Sequence, residues 1–211
     1  MMHSASLSIS ASTAVRMLRR AEEEIHANED LLTRLDSATG DGDHGTTMSR
    51  AWEGVGRALR ESPPATAAGA FQCAAEVFLA LDGGATGPLF GTFFSGVAAG
   101  WESGFADAFR GGTAELQRCS GAKAGDKTML DAILPAADAL EAAAPSGLAE
   151  AMRAAANAAR AGAESTKEMR ARAGRARFRG ALSLGHQDAG ATSVVFIFEG
   201  FAAALEEQRS A

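Results

Sequence analysis

An all-α fold is what this sequence predicts, on three observations. Ala dominates the composition, Tyr is absent, and apolar residues recur at three- and four-residue spacing along most of the chain. The first helix runs from about Ser12 to Leu35. Val15, Leu18, Ala21, Ile25, Leu31, Leu32 and Leu35 trace its apolar stripe, with Arg19, Arg20, Glu22, Glu23 and Glu24 on the outer face. It delivers Asp36 at its C-terminal end. A second helix begins near His44 or Gly45 and runs to about Glu61, where Ser62-Pro63-Pro64 stops it. Further helices fall at about 66–81, 88–104, 112–119, 127–143, 147–161, 164–172 and 190–207, with Gly- or Pro-rich joints such as 82–88, 110–112 and 121–125. Ser193 to Phe198 has strand composition. A lone strand would have no partner, and the helical period joins this stretch to Phe201, Ala204 and Leu205, so it reads as buried helix. The Ala-rich stretch 143–163 reads as a close-packed helix rather than a linker.

Length and composition bound the function. At 211 residues, 46% apolar and 22% charged, the chain suits one well-buried globular domain over 1–211, with about 1–11 as a flexible start. A net charge of −6 argues against a general nucleic-acid binder, because phosphate backbones need basic patches. Residues 1–12 lack a basic start leading into an apolar core, and no apolar run approaches the roughly 18 residues of a membrane span. The expected location is cytoplasmic. Cys73 and Cys119 match no metal-ligand spacing and read as buried, reduced thiols.

The strongest chemical signal lies between the first two helices, where Asp36, Asp41 and Asp43 fall within eight residues. Carboxylates at that density repel unless a hard cation neutralises them, and Gly40, Gly42 and Gly45 let the backbone turn all three inward. Asp-Gly alone is only a turn signal, but the third Asp and the His44-Gly45-Thr46-Thr47 extension favour a metal. The stretch lacks the regular ligand positions and closing Glu of an EF-hand, which disfavours Ca²⁺. Mg²⁺ fits better, since it binds through a few carboxylates plus substrate phosphates. Gly45, Thr46 and Thr47 offer N–H and hydroxyl donors for such phosphates at a helix N-terminus.

Four other segments are too specific for plain connectors. Gly83 to Phe94 allows close backbone approach and carries Pro88 in a first helical turn; a phosphate cradle and a tight helix joint both fit. Gly121 to Thr128 imitates a Walker A loop, but Asp126 replaces its second Gly and no buried strand precedes it, so the P-loop reading fails. Asp126 reads instead as a helix N-cap or charge partner. Arg170 to Arg179 is a basic run of the kind that usually forms a solvated face, though Arg175, between Gly174 and Ala176, could reach a nucleotide phosphate. Gly185 to Ser193 is a polar turn leading into the last apolar helix.

Taken together, these segments closely resemble the L subunit of dihydroxyacetone kinases, the nucleotide-binding half of a two-part kinase. The likeness is carried by 40–46, 87–92, 125–129, Thr166-Lys167 with 174–176, and 185–193, in order and in spacing. It implies an eight-helix antiparallel barrel that binds ADP or ATP at one end through two Mg²⁺ ions. Asp36, Asp41 and Asp43 become the metal ligands and, with Arg175, the catalytic set. His44, Gly45, Thr46 and Thr47 would contact phosphates, as would Ala85 and Thr86. Gly121 and Met129 would line the adenine side, and Arg175 with Asp188, Ala189 and Gly190 would close over the nucleotide. Relatives commonly have Ser where Thr86 stands and Pro where Ala189 stands; Thr keeps the hydroxyl, and losing Pro loosens a turn without removing a ligand.

The resemblance also implies a partner. A separate K-type subunit would hold a short ketose through a histidine of its own, so neither His44 nor His186 takes that role. The phosphoryl donor is either ATP or a phosphotransferase-system phosphocarrier subunit, and a homodimer is compatible with either. Two other readings compete: a nucleotide-state sensor that binds a transcription regulator, and the nucleotide domain of a fatty-acid kinase. The latter usually carries Thr at the position of His44 and is fused to further domains, so the motif and the chain length weigh against it.

Overall fold

The computed structural model of the chain describes residues 9–210, with side chains as far as Gln208. Every regular element among them is helical: α1 (Ala11–Ala27), α2 (Glu29–Thr39), α3 (His44–Glu61), α4 (Ala67–Leu79), α5 (Thr86–Ala99), α6 (Phe105–Ser120), α7 (Leu130–Ala143), α8 (Leu148–Ser165) and α9 (Ala189–Ser210). Most of the expected flexible start lies outside the described residues. Its described end caps α1, where Ser10 Oγ accepts the N–H of Thr13 at 3.1 Å.

Neighbours in sequence are neighbours in space. Connections that are short everywhere but between α8 and α9 lay successive helices antiparallel, each packs on the next from α3 to α9, and α9 closes on α1. Only Asn28 separates α1 from α2. Counted as one bent helix they complete an eight-membered ring, the barrel that the resemblance implies.

The ring is filled from two kinds of sequence. On the α3–α6 side the filling is aromatic: Phe71 lies 5.8 Å from Phe109 and 6.0 Å from Phe201, both edge-on, and Trp52 meets Phe78 edge-on at 5.7 Å. Such side chains are fully buried, and truncating one to Ala costs about 3–5 kcal/mol. Across the ring α7 and α8 approach on small residues, with Ala132, Ala136, Ala155 and Ala159 at 0% exposure. The strand-like stretch Ser193–Phe198 is helix, burying Val194, Ile197, Phe198 and Phe201 at helical spacing against that core.

The structure corrects several boundaries. Asn28 interrupts the expected first helix; its side chain turns back to the carbonyl of Glu24 at 2.9 Å, competing with the helical ladder. Helix α6 starts at Phe105 rather than 112, because Gly111 and Gly112 serve helix contact and not a break: a Cβ on Gly112 would stand 2.6 Å from the carbonyl oxygen of Phe93. No helix covers 164–172. There α8 ends at Ser165, a 3₁₀ turn spans Thr166–Glu168, and a 3₁₀ stretch at Arg175–Ser183 breaks at Gly180. Five Arg between 170 and 179 leave that region no apolar stripe to bury. Cys73 is half-buried and Cys119 exposed, both as free thiols, so the expectation of buried thiols fails. By length and hydropathy Ala189–Gln208 also passes as a membrane span, contrary to the sequence reading, but 78% of it is buried inside the ring, as befits a core helix.

Candidate functional site

A cleft of about 520 Å³ opens at one end of the ring, where four helices begin. Its walls are the acidic turn between α2 and α3, the loop 82–86 before α5, the end of α6, the loop 127–130 before α7, residues 173–176, and 188–190 before α9. Helix N-termini carry unpaired N–H groups and partial positive charge, so their convergence makes the cleft receptive to anions. Helices α3 and α5 begin without a capping side chain. Helix α9 is capped by Asp188, whose Oδ2 accepts the N–H of Ala191 at 2.8 Å.

The acidic turn is folded around one carboxylate. Asp36 Oδ2 accepts the backbone N–H groups of Gly42 at 2.8 Å, Asp43 at 3.1 Å and His44 at 3.3 Å, so the end of α2 is laced to the start of α3. This brings Asp36, Asp41 and Asp43 together with one oxygen from each within 4.8 Å of the others. Oxygens so spaced suit a hard divalent cation that keeps part of its water shell. A cationic group already lies on them, for Arg175 Nη1 pairs with Asp41 Oδ2 and stands 3.6 Å from Asp43 Oδ2.

His44 joins three elements. Its Nε2 lies 2.8 Å from Ser193 Oγ on α9, and its Nδ1 lies 3.3 Å from Thr86 Oγ1 on α5. Burial lowers its pKa to about 4, against the opposing pull of Asp36, which keeps the ring neutral near pH 7. Asp188 is pushed up to about 6 by burial, opposed by its bond to Ala191 and by the charge of Lys127.

Of the residues expected from sequence, Asp36, Asp41, Asp43, His44, Thr47, Ala85, Thr86, Met129, Arg175, Asp188, Ala189 and Gly190 line the cleft. Gly45, Thr46 and Gly121 do not. Gly45 is packed against α2, where an added Cβ would stand 2.2 Å from the carbonyl oxygen of Glu29. Thr46 is exposed and its hydroxyl turns back to the carbonyl of Asp43 at 3.0 Å. Gly121 ends α6 in a left-handed turn, while its neighbours Ser120 and Ala122 face the cleft. Asp126 accepts the N–H of Lys123 at 2.8 Å and caps no helix. That work falls to Asp131, which takes the N–H groups of Gly125 and of Thr128, the latter at 2.8 Å. Thr128-x-x-Asp131 is a capping-box spacing that would have flagged it. Lys127, buried at the cleft wall, lies in the segment 125–129 that helps carry the resemblance, but that segment assigns it no role.

Comparison with known proteins follows the same outline. The DAK2 domain model matches residues 38–203, beginning just after Asp36. The ADP-binding subunit DhaL of the PEP-dependent dihydroxyacetone kinase of Escherichia coli is 34% identical over 95% of this chain and all of its own length. The corresponding subunit of dihydroxyacetone kinase 1 of Listeria innocua is 33% identical over 88% of this chain and 92% of its own. L-erythrulose 1-kinase of Mycolicibacterium smegmatis is 34% identical over 90% of this chain, which spans 35% of that larger protein. Among solved structures, the dihydroxyacetone kinase of C. freundii in complex with AMP-PNP and Mg²⁺ superposes with a TM-score of 0.75 at 26% identity. It covers 96% of this chain, which spans 36% of it.

Proposed function

The chain is a member of the DAK2-domain family, a DhaL-type dihydroxyacetone kinase subunit, and on that premise we propose how its cleft works. It holds ADP or ATP through two Mg²⁺ ions, and the terminal phosphoryl group passes to a short ketose carried by a separate K-type subunit. The whole ring serves as one nucleotide-binding domain, in a cytoplasmic enzyme. The observation that carries this reading is the meeting, in one cleft, of three clustered carboxylates, the N-termini of α3, α5 and α9, and an arginine paired with two of those carboxylates. Relatives named for ADP binding and a neighbour holding AMP-PNP and Mg²⁺ support it.

Each group then has a role. Asp36, Asp41 and Asp43 hold the metal, and Asp36 also fixes the turn that presents the other two. Bound Mg²⁺ supplies the charge that offsets repulsion between these carboxylates and the phosphates. By helix geometry the N–H groups of Gly45 and Thr46 at the start of α3 have no intrahelical acceptor and can serve phosphate oxygens, as can those opening α5 at Thr86. Met129, Leu116, Ala122 and Leu89 offer an apolar wall for a purine. Arg175 stands on these carboxylates; with their charge taken up by a metal, its planar fork would be available to the transferring group, where charge develops. Neutral His44 orients Thr86 and Ser193 without adding charge.

Calorimetry of the purified chain with ADP and with ATP, with Mg²⁺ or with chelator, tests the site: binding should require the metal. Adding a K-type subunit and dihydroxyacetone tests the transfer, with ATP alone run against ADP plus a phosphorylated carrier to identify the donor. Equal affinity in chelator, or brisk ketose phosphorylation by this chain by itself, would overturn the reading.

A further inference from the structure

Among the described residues, Lys127 is the one non-glycine with a left-handed backbone, at φ 62°, and it is only 1% exposed. A left-handed residue with a Cβ costs about 1–2 kcal/mol, and burying an ammonium adds a desolvation penalty. Both persist where the surroundings over-determine the position. What holds Lys127 is visible: its Nζ donates to the backbone carbonyls of Thr166 and of His186. Those two carbonyls mark where the chain leaves α8 and where it returns to α9. Between them runs a strap, 169–185, that carries Arg175 and contains no α-helix.

The strap is tied at its roots. Gly185 N–H donates to the carbonyl of Lys167 at 2.8 Å, Asp188 N–H to Thr166 Oγ1 at 2.8 Å, and Ala171 N–H to Ser183 Oγ at 2.9 Å. Its middle is open, with Phe178 78% and Leu182 74% exposed. One buried ammonium therefore joins both roots to the loop 127–130 that walls the cleft. Burial lowers the pKa of Lys127, while the charges of Asp188 and Asp131 oppose the fall and favour the cation.

We propose that Lys127 is a positioning residue for phosphoryl transfer: its ammonium clasps the two roots of the strap and so sets where Arg175 stands over the cleft. This rests on the function proposed above for the cleft, but the clasp itself can be read without any activity. Two carbonyls on diverging segments call for a donor with several N–H bonds on a flexible stem, which a Lys supplies and an isosteric Met does not.

Hydrogen exchange on the full chain is the test. In Lys127→Met the amides of 169–185 should exchange at least about tenfold faster, the factor expected from losing one charged hydrogen bond. Protection in α1, α4 and α5 should match the parent. Lys167→Met, an exposed lysine paired with Glu164, should leave the strap as it was. With the partner subunit, kcat for Lys127→Met should fall by a similar factor while KM for the nucleotide stays within about threefold, because Arg175 acts on the transferring group. The parent offers a check that needs no variant: on acylation with limiting anhydride, Lys123 and Lys167 should label at once and Lys127 only as the strap opens. Unchanged strap exchange, protection lost equally in all helices, or Lys127 labelling as fast as the other two would each overturn the clasp. A loosened strap with kcat unchanged would overturn the positioning role. A parent chain that binds no Mg²⁺-nucleotide would instead overturn the proposed function and leave the clasp standing.

Discussion

The two lips of the cleft hold their charges in opposite ways. The acidic lip is four residues between α2 and α3, and its ties are local: Asp36 reaches amides six, seven and eight positions ahead. The strap lip runs from 169 to 185, and beyond the ties of 12 to 22 positions at its roots it is held by bonds that span 39 and 59 positions, through Lys127, with Arg175 reaching Asp41 across 134. Local ties make a lip rigid by itself. Distant ties make a lip whose position depends on the rest of the fold, as the proposed turn of Arg175 from carboxylate to phosphate would require.

The largest expected effect separates the three aspartates. Asp41→Ala and Asp43→Ala should each weaken Mg²⁺-nucleotide binding by at least about 30-fold, the lower end of the 2–5 kcal/mol lost when one partner of a buried charge pair goes. Their melting temperatures in chelator should stay near the parent's, because the partly exposed pairing with Arg175 is worth at most about 1 kcal/mol. Asp36→Ala should lose both binding and stability, by about 1–3 kcal/mol, since three amides lose their acceptor. Calorimetry with thermal melts in EDTA checks the contrast; three variants that melt alike would show that the acidic lip is not folded around Asp36.

Next comes the strap lip. Arg175→Lys should lower turnover with the partner subunit by about 10- to 100-fold while leaving the melting temperature unchanged, because Lys keeps the charge but not the bidentate fork. Full activity in that variant would mean that charge alone suffices.

A smaller effect compares the backbones. Gly45→Ala should destabilise by about 1–3 kcal/mol, since its Cβ would meet a backbone carbonyl that cannot step aside. Gly174→Ala meets nothing within 4 Å but must hold φ 59° with ψ −163°, a combination nearly restricted to glycine, at about 1–3 kcal/mol of backbone strain. The first variant fails by collision and the second by strain; urea unfolding of both checks this, and a Gly174→Ala chain as stable as the parent would show that the strap re-aims its backbone freely.

The same contrast explains what was legible in the sequence. The acidic turn, the N-termini of α3 and α9 and the apolar ring could be read, because spacing within one or two helical turns encodes them. Val194, Ile197 and Phe198 betray their helix by period, whatever their β-propensity. Lys127 could not be read: nothing within its own loop says that its ammonium will meet the carbonyls of Thr166 and His186, which only the closure of α7, α8 and α9 brings together. Gly112 was misjudged for a related reason. A glycine that admits a neighbouring helix and one that ends a helix look identical until the neighbour is in place.

The smallest effect concerns the root of the strap and its dependence on pH. Asp188 caps α9 and faces Lys127, and burial raises its pKa from 3.8 to about 6. A carboxyl raised in the folded state binds its proton more tightly there than in the unfolded chain, so its contribution to stability is full below about pH 4. That contribution is lost as the pH climbs through about 6. The displacement corresponds to at most about 3 kcal/mol, and to less in practice because the side chain is partly open to the cleft. Asp188→Asn keeps an oxygen for the Ala191 amide but cannot ionise. The stability of the parent relative to Asp188→Asn, measured by urea unfolding in EDTA, should therefore decline between pH 4 and pH 6 and level off above it. A relative stability that rose over that interval would mean that the ammonium of Lys127 outweighs burial at Asp188, and the strap root would then be a true ion pair.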